Sequence, residues 1–275
     1  MNTSKYICYH IMRTLFVITM VWSISHAETC DQILFYNSDT NINNYKQLKI
    51  EFDKFFEKIG HYKFQPFDDE NIFETQLKEN KFCMLILSNW YYIHLQKKMA
   101  LMPILKAHRK GVDTQEIVLI TKKMNDQKKI VLAKRTVASS ISLLHSKALL
   151  NRILDDKHYD QNLNVLRVPK DIDALMAVGF GMSSYALSTF YSYHALSMIN
   201  PSLYKRFICI GKKVKIPLMI CAVLDLQKQS KLIDAFVNID KIPHGKNSIK
   251  MLGIDGFKLY QRNVHHTPSR SSNGF

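Results

Sequence analysis

The chain has 275 residues, 47% of them hydrophobic and 11% aromatic, with a formal net charge of +15. This apolar content is enough for a sizeable core and excludes a wholly disordered chain. The positive excess favours anionic partners, although the basic residues are scattered, in pairs such as Lys97-Lys98 and Lys128-Lys129, rather than gathered in a run.

Residues 1–27 are organised like a secretory signal peptide. Lys5 and Arg13 supply the positive end, Thr14 to Ile24 an apolar core, and Ser25-His26-Ala27 the small residues of a cleavage site. The core is shorter than the roughly 20 residues of a spanning helix; a retained anchor is the alternative. No lipobox precedes Cys30. Removing Lys5 and Arg13 leaves a charge of +13. Export makes nucleic acid a poor partner and suits a solvated basic surface. Cys30, Cys83, Cys209 and Cys221 then remain, and four cysteines allow three pairings. The last three lie in apolar, strand-like runs that also suit buried free thiols. No structural zinc is expected.

The mature chain reads as alternating strands and helices. Ile33 to Tyr36 is a short strand ending in the turn residues Asn37-Ser38-Asp39. Leu48, Phe52, Phe55, Phe56 and Ile59 share one face of a helix over Tyr45–Ile59, which Gly60 ends. Tyr62 to Phe67 alternates as a strand, and 70–79 fits a helix. The continuous run Cys83 to Leu87 suits a buried parallel strand, followed by Ser88-Asn89-Trp90-Tyr91-Tyr92 and a helix to about Lys98. Met102–His108 and Glu116–Thr121 are further strands. Lys129–Leu132 reads as a strand, Ser139 to about Leu154 as a helix, Asn164–Val168 as a strand and Lys170–Val178 as a helix. Residues 184–199 carry both signals. Arg206–Ile210 and Pro217–Leu224 read as strands, Leu226–Val237 as a helix, and 253–257 as a turn. The tail from Asn263 lacks apolar periodicity, so 263–275 is expected to be disordered.

Such alternation implies an open parallel sheet with helices on both faces, with ligands beyond the carboxyl ends of the strands. The stretch VLAKRTVASSISLLHSKALL (131–150) is the most suggestive junction. Thr136, Ser139, Ser140 and Ser142 gather where a strand gives way to a helix. A helix start offers free N–H groups and the positive end of the dipole, which suit anions. Ser139 or Ser140 capping that helix is the plain alternative. Trp90, Tyr91 and Tyr92 fit equally a core-packing helix and an aromatic cleft wall. Catalytic patterns are missing: no GxSxG, P-loop or HExxH occurs, and Gly179-Phe180-Gly181 is only half of a GxGxxG. Cys83 and the serine loop are the only candidates for a nucleophile, and no enzyme is expected.

These segments, in this order, resemble the type 2 periplasmic solute-binding proteins, specifically the phosphate/phosphite/phosphonate-binding family of ABC importers. The resemblance rests on NKFCMLILSNWYYI (80–93), ASSISLLHSKALL (138–150), MAVGFGMSSYALSTF (176–190), KVKIPLMICAVL (213–224) and GKNSIKMLGIDGFKLY (245–260). It implies an α/β fold of two lobes, each a mixed open sheet flanked by helices, with a ligand cleft between them. Lobe 1 is expected at 28–121 with 216–262, and lobe 2 at 122–215. The ligand residues it implies are Tyr36, Asn37, Ser38, Ser88, Tyr91, Ser139, Ser140, Ser142 and Ser184, to which the hydroxyl cluster adds Thr136 and the aromatic run Trp90. The implied protein is a periplasmic monomer without cofactor or metal, delivering an oxyanion or an amphiphile to an ABC permease. A transporter-independent sensing or lipid-carrying module of the same fold is the alternative. The sequence departs from the family at Cys83 and Ser184, where aspartates are expected, and at Ile141 and Ser142 in the serine loop. Losing those carboxylates removes acceptors for an aminophosphonate's ammonium group.

Overall fold

Short, strongly apolar runs form the first sheet. The computed structural model describes residues 30–260, except 40–41, 43, 80–81, 124–135, 156–162 and 227–228. The expected signal peptide, the strand expected at Lys129–Leu132 and the tail lie outside the described residues. The fold below is that of the described residues from Gln32 onward.

β1 (Gln32–Tyr36), β2 (Lys63–Phe67) and β3 (Met84–Ser88) are parallel, with β1 in the middle. Parallel neighbours need crossovers, here α1 (Tyr45–Phe56) and α2 (Glu70–Leu77). The Asn44 side chain caps α1 by accepting from Gln47 N at 2.8 Å. The predicted apolar face of α1 is the buried one: Leu48, Phe52, Phe55 and Phe56. Phe52 stacks on Phe64 of β2, with ring centroids 4.0 Å apart. Burying one such ring fully contributes about 1.5–3 kcal/mol. α3 (Asn89–Gln96) follows β3 directly. β4 (Met102–His108), β10 (Met219–Val223) and β11 (Gly256–Leu259) add antiparallel pairs, giving the order β11-β4-β10-β3-β1-β2. α8 (Ser230–Val237) and α9 (Pro243–Leu252) come between β10 and β11.

The second sheet has the order β7-β6-β8-β5-β9. Its strands are β5 (Thr114–Lys122), β6 (Thr136–Ser139), β7 (Asn164–Arg167), β8 (Tyr185–Thr189) and β9 (Phe207–Pro217). β6 is parallel to β7 and β8, whereas β5 is antiparallel to β8 and β9. α4 (Leu143–Leu154) follows β6, and α5 (Asp171–Gly179) follows β7. The mixed signal at 184–199 is β8 running straight into α6 (Phe190–Ile199), and α7 (Pro201–Lys205) follows.

The structure is thus the expected mixed α/β fold of two helix-flanked sheets. It differs in detail. β5 belongs to the second sheet, so the chain changes sheets between His108 and Thr114, not after Thr121. Thr136 to Ser139 is itself a strand, although its residues read as a junction, because β7 and β8 pair with it on both sides. Arg206–Ile210 extends into one long strand, β9, reaching Pro217. One apolar cluster crosses both sheets and includes Leu87, Trp90 and Tyr91 from the first with Leu119, Ile141 and Leu149 from the second.

Candidate interlobe ligand site

Parallel strands deliver their carboxyl ends to one edge of each sheet. In the first sheet these ends are Tyr36, Phe67 and Ser88; in the second, Ser139, Arg167 and Thr189. Four contacts show that the two edges meet. Arg167 Nη2 donates to Glu70 Oε2 at 2.6 Å. Lys170 Nζ donates to the Ile42 carbonyl at 3.0 Å. Gln115 Nε2 on β5 donates to Asp39 Oδ2 at 3.2 Å. The rings of Trp90 and His145 lie 5.7 Å apart.

Between these edges is a cavity of about 240 Å³. Tyr36, Asp69 and Glu70 line it from the first sheet's side, and Ser140, Arg167 and Pro169 from the second's. Tyr36 stacks on Phe73 at 5.2 Å and meets Tyr91 edge-on at 4.9 Å. Burial, then the Glu70 carboxylate, pushes its phenol well above the usual range.

The serine loop divides its work. Ser142 caps α4, with Oγ accepting from His145 N at 3.5 Å and lying 3.0 Å from His145 Nδ1. Burial, then the His94 and Lys97 charges, holds the His145 imidazole below its usual pKa. Ser139 ties the turn internally: its Oγ accepts from Ile141 N and from Ser146 Oγ, each at 3.1 Å. Ser140, fully buried, has a hydroxyl without a hydrogen-bond partner, and it lines the cavity. A buried hydroxyl left unpaired costs about 1–3 kcal/mol, so such an atom at a cavity wall marks a place for a polar ligand group. Ser88 repeats the arrangement. It precedes α3 without capping it, is fully buried, and its Oγ is also unpaired. Ser38 Oγ forms no hydrogen bond by distance and angle, although it lies near enough to the Asp39 carboxylate to favour its charge.

Other expected residues take structural positions. Asn37 Oδ1 accepts from Asp39 N at 2.9 Å, closing the turn after β1. Trp90 Nε1 donates to Asp39 Oδ1 at 3.2 Å. Tyr91 is buried, and its hydroxyl donates to Glu74 Oε1 at 3.2 Å. Thr136 and Ser184 are not brought to the others. Because 136–139 is a strand, Thr136 sits at its amino end, about 10 Å from Ser139. Ser184 N donates to the Thr136 carbonyl there at 3.0 Å, and Asn164 Nδ2 donates to Thr136 Oγ1 at 3.0 Å.

Two carboxylates at the junction were not among the expected ligand residues. Asp39 ends the turn after β1, and Asp171 opens α5. Asp171 Oδ2 accepts from Ser188 Oγ at 3.0 Å, Thr189 N at 2.9 Å and Thr189 Oγ1 at 2.6 Å. Both are buried. Burial pushes Asp171 upward. Burial, and then the Asp171 charge, pushes Asp39 up to about 7 against the hydrogen bonds of Trp90 and Gln115. Arg167 was missed as well. The rule that found Ser88, reading the residue at the end of each strand, would have found Arg167 and Thr189 if applied to β7 and β8.

Cys83 is disulfide-bonded. Cys83 is therefore no thiol nucleophile. Cys221 is a buried free thiol, while Cys209 is free and exposed, on the edge strand β9 rather than in the core as its run suggested. Among the described residues, no cluster of three or more His, Cys, Asp or Glu could hold a metal, and no helix is long and apolar enough to cross a membrane.

No protein-family model matches the chain, and no curated protein matches it. Solved structures do. PhnD1 from Prochlorococcus marinus, in complex with methylphosphonate, superposes with a TM-score of 0.65 at 13% identity, covering 85% of this chain and 93% of that one. A Xanthomonas citri protein bound to ATP gives 0.61 at 12% identity, over 84% and 92%. A binding protein component of an ABC phosphonate transporter from Pseudomonas aeruginosa gives 0.59 at 12% identity, over 84% and 82%. The chain therefore has the two-lobed fold of the periplasmic binding proteins. A histidine kinase sensor domain with similarity to periplasmic binding proteins shares it, with a TM-score of 0.54 at 14% identity, over 82% and 97%.

Proposed function

We propose that this chain is a periplasmic solute-binding protein that holds a small polar ligand between its lobes and presents it to an ABC permease. The observation that carries this reading is the unpaired, fully buried Ser140 hydroxyl in the wall of an interlobe cavity. Lobe closure on a ligand is the motion the fold allows. Lobe 1 would comprise the chain before His108 and after Pro217, and lobe 2 the part between.

The charges at the cavity refine the ligand. Arg167 faces Asp68, Asp69 and Glu70 there, and Glu70 already engages it. A bare oxyanion would have to displace Glu70 from Arg167 and would meet an excess of carboxylates. A ligand that adds a hydroxyl or ammonium group to an acidic oxygen fits better, with Ser140 and Arg167 on the anionic end. Methylphosphonate and ATP, bound by two proteins of this fold, are both phosphorus oxyacids. The similar kinase sensor domain supports a second reading, a sensing module with the same cleft.

A thermal-shift screen tests both. Phosphate, phosphite, phosphonates with and without an amine, sulfonates, fatty acids and sterols would be added in excess. At 100-fold over the dissociation constant a ligand stabilises by about 2.7 kcal/mol. A shift with one class, lost in Ser140→Ala and Arg167→Gln, supports the site. A shift that both variants retain moves the ligand elsewhere, and no shift with any class removes the reading. Co-purification with a permease separates delivery from sensing.

A further inference from the structure

We propose that the end of the second sheet opposite the cleft docks on an anionic lipid surface. Four large apolar side chains are exposed there: Phe180 at 72%, Met182 at 64%, Met198 at 75% and Ile199 at 65%. Helix direction explains why they cluster. α5 and α6 both run back from the cleft edge, so their last turns arrive at the same far end. The backbone between them is tightly joined. Gly179, the last residue of α5, lies so close to Leu203 of α7 that an added Cβ would sit 2.7 Å from its Cδ2. Met182 N donates to the Ala177 carbonyl at 2.9 Å, which folds the Phe180–Met182 loop onto the helix end.

Cations surround this apolar group. Lys122 pairs with Phe207 in the sheet register, and Lys123 N donates to the Arg206 carbonyl at 2.7 Å. Lys122, Lys123, Lys205 and Arg206 thus reach the same end, and residues 121–123, 180–185 and 197–207 contain no Asp or Glu. Exposed apolar groups on a soluble domain mark interaction surfaces. The occupant must satisfy hydrocarbon and positive charge together. An anionic bilayer does so: lipid phosphates meet the lysines and arginine, while Phe, Met and Ile enter the acyl boundary. An acidic protein face would answer the cations but leave the apolar side chains to find pockets of their own.

The test is sedimentation of the full chain with vesicles of phosphatidylcholine containing about 30% phosphatidylglycerol, and with pure phosphatidylcholine vesicles. The apolar segment at 14–24 would bind lipid by itself, so the readout is local: hydrogen exchange at 180–185 and 197–207. Protection there on anionic vesicles only, reduced by raising salt from about 0.1 to about 0.5 M, is expected. Lys123→Glu/Lys205→Glu/Arg206→Glu and, separately, Phe180→Ser/Met182→Ser/Met198→Ser should each abolish that protection. Lys46→Glu/Lys54→Glu/Lys58→Glu, an equal charge change on exposed positions of α1 and the turn that follows it, should leave the local protection in place. Protection confined to other residues, equal protection on neutral vesicles, equal loss in the α1 variant, or protection by an acidic protein but not by vesicles would each overturn the proposal.

Discussion

Arg167, the last residue of β7, donates to the carboxylate of Glu70, the first residue of α2, at 2.6 Å. Arg167 belongs to the second sheet and Glu70 to a helix that flanks the first, so this ion pair spans the cleft. Both side chains are partly exposed, at 42% and 28%. Water screens such a pair, and its contribution is on the order of 1 kcal/mol or less. Glu70→Gln should therefore change the melting temperature little. Its larger effect should be on lobe separation, read as an increased radius of gyration in solution scattering. A double-mutant cycle with Arg167→Gln that gives no coupling in either readout would show that the pair does not hold the lobes.

The serine loop gives a pair of opposite expectations. Ser142→Ala removes the cap of α4 and should cost about 1 kcal/mol. Ser140→Ala removes a buried hydroxyl that nothing in the protein satisfies, so unfolding should be unchanged or slightly harder. Urea titration of the two variants distinguishes them. Equal destabilisation would mean that Ser140 also has a structural partner.

Asp39 makes a pH-dependent contribution of known sign. Burial raises its folded pKa to about 7, above the unfolded value of about 3.9. The folded state then holds a proton that the unfolded state has released. Stability from this group is fully present below about pH 3.9 and is lost as pH rises through about 7. The wild-type melting temperature should fall between pH 4 and 7 more steeply than that of Asp39→Asn. Parallel profiles for the two proteins would place the buried proton elsewhere.

Gly211 offers a purely steric test. It sits in β9 at φ +73°, and an added Cβ would lie 2.6 Å from the Ile153 carbonyl oxygen of α4. Gly211→Ala meets both the left-handed backbone penalty, about 1–2 kcal/mol, and that backbone clash. A clear drop in denaturation midpoint is expected, whereas Gly111→Ala, also at positive φ but with open space around it, should lose only the first part.

Local chemistry determined most of the element order. Runs such as ILFY and CMLIL are too apolar to be anything but buried strands, and the Leu48–Phe56 spacing fits only one helix face. These signals act over a few residues, so the sequence alone carries them. Where burial depends on a partner far along the chain, it is silent. TVAS has too little apolar character to announce a strand, and only pairing with β7 and β8 makes it one. EIVLIT reads as a strand, but nothing in it says which sheet it joins. Ser139, Ser140 and Ser142 look alike in sequence. Which one caps, which one braces the turn and which one is left free depends on the direction each Cα–Cβ bond takes after β6 ends. Asp39 and Asp171 are ordinary turn and helix-start residues in the sequence. They become an opposed buried pair only when the two lobes meet, because the loss of water that raises their pKa comes from tertiary packing.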